Sequence, residues 1–497
     1  MSATGRLTAE VSLRTRRVIY GELARSDLEA ELPQLTQVDQ AHLLMLAERG
    51  LVPRAAACSL LRCIALLREQ RYQPLVGRPA PRGLYLMYEG YLSSELGPEI
   101  GGVLHTGRSR NDLKATMTAL RLRDWLIEYG SELLRLQAAL LGRARVYRAV
   151  LMPAYTHFQA AMPISYGYYL LGVAQALGRE VDALMSAATG LRVSPLGAGA
   201  VAGSDLPIDP AHTARLLGFS TSNPHALDAV ASRDVALRLT GVAASTAITL
   251  SRLAADLQLW STVEFGLIEF PDRLVGGSSA MPQKRNAFLL EHLRAKPAQV
   301  IGAWTAAAAA MSATPFTNSI EVGTEAIASI WPGLTASEQA VLLAQAMVSG
   351  AKPRPDRMRE RAADGFTGAT AIANQLTQRG IPFRRAHELV ADAVRRAVAD
   401  GSTDLAGYLG PELLDGVAGC CLEVAGALDA QAFGGGPGAF AETFQQALAS
   451  WRLQQDWLAG WRRTVAEADA ARSAGVGALL ADDGAREPGD ELGDEPA

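Results

Sequence analysis

The stretch LKATMTALRLRDWLIEYGSELLRLQAALL, Leu113 to Leu141, places Leu113, Leu120, Ile127, Leu134 and Leu141 seven residues apart, with Leu126, Leu133 and Leu140 beside them. No proline falls between Pro98 and Pro153. Two adjoining apolar rows at this spacing form a wide stripe on one long helix, a surface that is satisfied only by packing against other helices. The flanking sequence repeats the theme. Pro163 marks the start of a predicted helix over 164–187, where a missing N–H costs little. Residues 192–210 are rich in Gly, Ala and Pro and read as loop. Pro224 and Pro271 bracket a predicted helix of up to 40 residues, apolar around much of its circumference. Further helices are predicted over 286–314 and 325–350. Helices of this length belong in a bundle, and the excess apolar surface of 225–265 calls for burial against other subunits.

The fold class that follows is all-α, with three helical domains. An N-terminal domain covers 1–105, where Leu43, Leu44 and Leu46 end at Gly50 and Pro53, a helix spans 55–70, and Pro74, Pro79 and Pro81 make a loop. The long-helix bundle covers 106–350. A smaller domain covers 351–470, where glycines return, and the Gly/Asp/Glu-rich segment 471–497 reads as a disordered tail. The chain of 497 residues is 49% hydrophobic and 20% charged, ordinary for a globular protein with a large core. A net charge of −4 suggests no nucleic-acid partner, and no apolar run reaches membrane-spanning length. Neither a signal-peptide core nor metal-ligand spacing of Cys or His is seen. Cys58, Cys63, Cys420 and Cys421 lack zinc spacing, and the adjacent pair is awkward for a disulfide. A reduced, cytoplasmic protein is the expectation.

Three polar stretches interrupt this apolar frame. Gly276 to Asn286, GGSSAMPQKRN, contains no acidic residue and is small and apolar at its start, which makes a loop. It sets a hydroxyl, a cation and an amide close to a predicted helix start, where an anion is welcome. The bland alternative is a Gly/Ser linker. His105 to Asp112, HTGRSRND, puts two arginines, two hydroxyls and an amide before the heptad helix. That suits carboxylate binding, or simply an N-cap within a solvated charge run. Tyr155-Thr156-His157-Phe158-Gln159 precedes Pro163, and a lone histidine near a helix start is more often structural than catalytic.

Together the three stretches resemble the signature regions of the aspartase/fumarase superfamily, and most closely argininosuccinate lyase. SPLGAGA over Ser194 to Ala200 and GIPFRRAHE over Gly380 to Glu388 are similar to the same family. The resemblance is strong over 100–310 and weak before 100. It implies a homotetramer with a 20-helix core and active sites shared among three subunits, each supplying one stretch. The implied reaction is reversible anti-elimination of a substituted succinate to fumarate and an amine, with no metal or organic cofactor. In that reading Ser278 is the base, acting as an alkoxide that loop N–H groups and a cation must stabilise. Lys284 and Asn286 hold the succinyl carboxylates, His157 serves the leaving-group side, and Glu291 pairs with His157. Arg108, Ser109, Arg110, Asn111, Thr156, Gln159, Met281 and Glu321 complete the expected substrate contacts.

The departures from the family lie where the amine is chosen. The family's approximate Tyr-Asn-Lys-Asp-Leu-Gln-Glu-Asp-Lys is Phe316 to Thr324 here, so a tyrosine, a glutamine and a lysine have become Phe316, Glu321 and Thr324. An upstream Asp-x-His is replaced at Leu84 and Leu86, and the loop's Asn-Pro-Asp is Asn286-Ala287-Phe288. Loss of hydrogen-bonding groups aimed at a substrate rejects that substrate strongly. The expectation is a lyase for another N-substituted aspartate. Argininosuccinate lyase itself and a non-catalytic structural descendant are the alternatives.

Overall fold

The computed structural model describes residues 11–20, 23–414 and 422–484. After a short helix at Leu13–Ile19 come α1 (Arg25–Glu48), α2 (Arg54–Glu69) and α3 (Leu84–Leu96). The heptad stretch is α4, Arg110–Val146, a single helix of 37 residues on which Leu113, Leu120, Leu134 and Leu141 are all buried. Strands β1 (Leu151–Thr156) and β2 (Gln159–Ser165) form an antiparallel hairpin before α5, Tyr166–Ala187. Pro163 therefore does not start the helix. It lies in β2 opposite Pro153, and Ser165 caps α5 by accepting from the Tyr168 N–H. Two prolines share this cross-strand pair, and the register shifts just beyond it, between Pro153 and Tyr155, where the ladder lacks donors.

The predicted helix of up to 40 residues is shorter. A turn of helix at Ala226–Ala231 precedes α6, Asp234–Trp260. Arg233 causes the break: its Nη1 donates to the carbonyls of Val230 and Ser232 at 3.1 and 2.7 Å, ending the first piece before the second begins. Helices α7 (Phe288–Ser312) and α8 (Ile327–Gly350) complete a bundle in which α7 packs on both α6 and α8, and α4 on α5 and α8. A π-helical turn, Glu321–Ala326, leads into α8. Shorter helices α9 (Pro355–Asp364), α10 (Ala369–Gln378) and α11 (Phe383–Ala399) follow, and Ile372, Leu376 and Val390 anchor a second, small core there.

The last helix, α12 (Pro437–Gly484), returns to pack on α1, α2, α4 and α5. One continuous core joins α1–α3, the long helices and α12, so the N-terminal helices share the bundle's core. Residues 471–484 continue α12 and are not a disordered tail. Leu479 is buried, Arg472 donates to the Leu216 carbonyl at 3.1 Å, and Arg54 meets Asp482 at 2.8 Å. Residues 485–497, like Cys420 and Cys421, lie outside the described residues. Among those described, no helix is long and apolar enough to cross a membrane.

Candidate active site

The first polar stretch forms the N-terminal cap of α4. Ser109 Oγ accepts from the Asn111 N–H at 3.3 Å, and Asp112 Oδ1 accepts from the Ser109 N–H at 2.9 Å, a reciprocal capping box. The other Asp112 oxygen accepts from the N–H groups of Gly197 and Gly199 at 3.1 and 2.9 Å. Asn111 Nδ2 donates to the Ala200 carbonyl at 3.0 Å, so the SPLGAGA run is clipped onto this helix start. Burial pushes the Asp112 carboxyl up, and the three backbone donors oppose that shift.

Arg108, expected among the substrate ligands, is committed elsewhere. Its side chain is wholly buried, with Nη1 2.7 Å from Asp39 Oδ1, and Tyr88 donates to the second Asp39 oxygen at 2.7 Å. It anchors the stretch from behind. Arg110 is exposed. His42 Nε2 donates to the Thr106 carbonyl at 2.8 Å and ties the same stretch to α1.

The second stretch is the tip of the β1–β2 hairpin and not a helix start. Thr156 pairs with Gln159, while His157 and Phe158 occupy the turn with φ of 52° and 61°. Both lie in the left-handed region that L residues avoid, and such strain clusters at functional sites. His157 is thereby projected into solvent on a rigid two-stranded support.

The third stretch is a loop pinned at its base. Gly276 and Asn286 exchange two backbone hydrogen bonds, each of 2.8 Å, and hold 277–285 between them. Arg285 anchors it through Asp272 Oδ1 at 2.7 Å and the Phe270 carbonyl at 2.9 Å. Within the loop, Ser278 Oγ accepts from the N–H groups of Met281 at 3.1 Å and Ala280 at 3.3 Å. Two main-chain donors thus converge on the one hydroxyl expected to carry negative charge. Met281 and Lys284 are exposed, and Asn286 Nδ2 donates back to the Gly277 carbonyl at 3.4 Å. The helix begins only at Phe288, past Lys284 and Asn286, with Glu291 exposed in its first turn. Glu321 lies exposed in the π-helical turn, where its own N–H and the Ser319 hydroxyl hold its carboxyl below the usual range.

These groups occupy two ends of the bundle. Ser109 and Asn111 stand at the start of α4, and Gly323 and Thr324 line a cavity with Lys114 at that same end. The hairpin follows the far end of α4, after 37 residues or about 55 Å of helix, a gap that the six-residue strand β1 cannot close. The Ser278 loop is also at the far end: Leu274 packs on Gly350 at the end of α8, and Arg143 of the last turn of α4 donates to the Ser349 carbonyl at 3.0 Å. Tyr155 and Phe265 rings lie 5.9 Å apart on this side. Among the described residues, no hydrogen bond or ion pair joins any two of the three stretches. A single protomer therefore does not assemble Asn111, His157 and Ser278 into one site.

Sequence reading missed Asp39, whose role depends on a contact across 69 positions of chain, and Arg233. The Arg233 guanidinium is buried beside Gly323, its Nε and Nη2 have no partner among the described residues, and burial lowers its pKa to about 10. Its sequence neighbours Ser232 and Asp234 are polar, so nothing local marked it for burial.

Comparison with known proteins identifies the family. A lyase family profile matches residues 87–302, and a profile for the argininosuccinate lyase C-terminal region matches 366–410. The chain is 36% identical over 385 residues to argininosuccinate lyase of Methanoculleus marisnigri, covering 77% of this chain and 76% of that protein. It is 32% identical over 398 residues to argininosuccinate lyase 1 of Shouchella clausii, 80% of each. Among solved structures it is similar to EDDS lyase in complex with formate, with a TM-score of 0.85 and 27% identity over 93% of this chain and 94% of that one. Class II fumarase from Schistosoma mansoni shares the fold, with a TM-score of 0.68 and 17% identity over 83% of this chain and 94% of that one. Matches of this extent, with the capped α4 start, the hairpin histidine and the pinned serine loop on one all-α frame, place the chain in the argininosuccinate lyase family of the aspartase/fumarase superfamily as a carbon–nitrogen lyase.

Proposed function

We propose that the enzyme catalyses reversible anti-elimination of an N-substituted aspartate other than argininosuccinate, releasing fumarate and an amine. Ser278 takes the proton from the carbon beside a carboxylate, and the resulting dianionic aci-carboxylate is held by Lys284 and Asn286. The C–N bond then breaks with its electron pair passing to nitrogen, which is protonated on the leaving-group side by or through His157. Glu291 of another subunit orients that histidine. Ser109, Asn111, Thr156 and Gln159 contact the carboxylates. The observation that carries this reading is the Ser278 hydroxyl, which receives two loop N–H groups at 3.1 and 3.3 Å, the arrangement an alkoxide needs. Closure of the loop would exclude water and bring a cation alongside.

The separation of Asn111 from His157 and Ser278 supports a homotetramer with composite sites. So do Ile248, Ile301, Trp304 and Leu342, large apolar side chains exposed on the bundle helices of one protomer. The substrate reading rests on the segment before α8, where Phe316 is exposed and Glu321 and Thr324 stand in place of an amide and a cation. The EDDS lyase neighbour, one variant of which was solved with bound fumarate, fits a dicarboxylate product. The second reading, argininosuccinate lyase, is favoured by the names of the relatives at 32–36% identity. A fumarate-absorbance screen across N-substituted aspartates, argininosuccinate included, separates the two. Absence of fumarate from every member would overturn both.

A further inference from the structure

A cavity of about 190 Å³ opens between α1, α4 and the start of α8. Its lining includes Glu31 and Gln34 from α1, Lys114 and Arg121 from α4, Thr324 from the segment that departs from the family, and Trp331 from α8. Glu31 and Lys114 are exposed at its mouth, and Arg121 is partly buried. Here the side chains of Glu31, Lys114 and Arg121 make no hydrogen bond or ion pair with any described residue. Arg121 instead lies flat over Trp331, 3.7 Å from the ring centre, and is held there by stacking. Gln34 spends its amide N–H on Asp124 at 2.9 Å, which leaves its Oε1 buried without a donor. A buried acceptor without a donor, together with a carboxylate and an ammonium that stand unpaired among the described residues at the mouth of the same space, suits a ligand carrying both charges.

Its position says which ligand. Lys114 is one helical turn beyond Asn111, about 4.5 Å along α4, and helical side chains lean back toward the N-terminus. Thr324 and Gly323 on the opposite wall belong to the stretch where the family chooses its amine. Desolvation lowers the Lys114 pKa even though the residue keeps solvent contact; Glu31 opposes this, and the charges of Arg110 and Arg233 add to it. The three cations thus share one field running from the signature stretch into the cavity, with Glu31 as its counterweight.

We propose that this cavity holds the amine half of the substrate, and that this half is a short diamino acid: its carboxylate meets Lys114 and its second amino group meets Glu31 and the free oxygen of Gln34. The inference rests on the lyase reading above and names the substrate class within it. Arg121, fixed against Trp331, closes the far end and limits length.

The test runs the reaction toward addition, with fumarate and four amines: 2,3-diaminopropionate, β-alanine, ethylenediamine and ethanolamine. The wild-type enzyme should prefer 2,3-diaminopropionate by about tenfold or more in kcat/KM. Lys114→Met should raise KM for the two carboxylate-bearing amines roughly 10- to 100-fold and leave ethylenediamine unchanged, with Lys114→Arg retaining most of the preference. Glu31→Gln should do the reverse, weakening the two diamines and sparing β-alanine. KM for fumarate should not move in either variant. Equal preference across the four amines, or loss of all four together in both variants, overturns the proposal. Calorimetric titration of 2,3-diaminopropionate into enzyme saturated with succinate separates the two levels. If no amine adds to fumarate, the lyase reading of substrate fails, yet binding that disappears in Lys114→Met still upholds the cavity; no binding by the wild-type enzyme overturns it.

Discussion

The Arg108 guanidinium lies 2.7 Å from the Asp39 carboxylate, and neither side chain has any surface in solvent. This ion pair bolts the first signature stretch to α1, and Tyr88 adds a 2.7 Å hydrogen bond to the second carboxylate oxygen. Removing one partner leaves a buried charge alone, so Arg108→Ala or Asp39→Ala should each cost roughly 3–5 kcal/mol. Urea denaturation measures this. Replacing both residues by apolar ones of similar volume should cost less than either single change, and equal losses in all three variants would argue against a buried pair.

His42 gives the fold a pH dependence. Burial, reinforced by the Arg108 charge, pushes its pKa down to about 3, and its Nε2–H is held by the Thr106 carbonyl. The unfolded chain therefore binds a proton that the folded one refuses, and stability falls as pH drops from the ordinary 6.5 toward 3. By this group alone the loss between pH 7 and pH 4 is about 3 kcal/mol. Denaturation at several pH values should show the slope, and His42→Gln should flatten it.

Ser278→Ala should abolish elimination, with kcat at least a thousandfold lower by the scale of lost nucleophile and base functions. Fold and dicarboxylate binding should persist, because Ser278 contributes only local loop contacts. Retention of a tenth of wild-type kcat would pass the role of base to Ser279, Lys284 or His157, to be examined in that order.

Argininosuccinate should be a poor substrate. Phe316 and Glu321 replace the hydroxyl and the amide that the family pattern offers the guanidinium end, and the Glu321 carboxylate compensates weakly because it is fully open to water. Comparison of kcat/KM across N-substituted aspartates is the measurement. A value of about 10⁴ M⁻¹s⁻¹ or more for argininosuccinate, above all others, would reverse the assignment.

Assembly should be tetrameric. Sedimentation at micromolar concentration should find no soluble monomer, since Ile248, Ile301 and Trp304 would otherwise face water. Subunits carrying Ser278→Ala, refolded together with subunits carrying Asn111→Ala, should recover part of the activity, because the two defects fall at opposite ends of a protomer. Inactivity of every mixture would speak for sites built within one chain.

What the sequence determined by itself was periodic or motif-borne. The seven-residue recurrence from Leu113 to Leu141 required a long helix with one buried side, and all five of those positions are buried. The loop that carries Ser278, Lys284 and Asn286 was legible because a Gly/Ser-rich run free of acidic residues lies directly before a helix. The hairpin under His157 was not legible: Thr156 to Gln159 contains no Gly or Asn, the residues that ordinarily report a turn with positive φ. Nor was the final stretch of α12, residues 471–484, whose Ala, Gly and Asp composition argues for disorder until Arg472, Leu479 and Asp482 find Leu216 and Arg54. Tertiary structure alone decided that Arg108 faces inward to Asp39 and not outward to substrate, and that Glu31 and Lys114 share a cavity. These are contacts between residues dozens of positions apart, and their energies depend on distance and burial, neither of which a local pattern encodes.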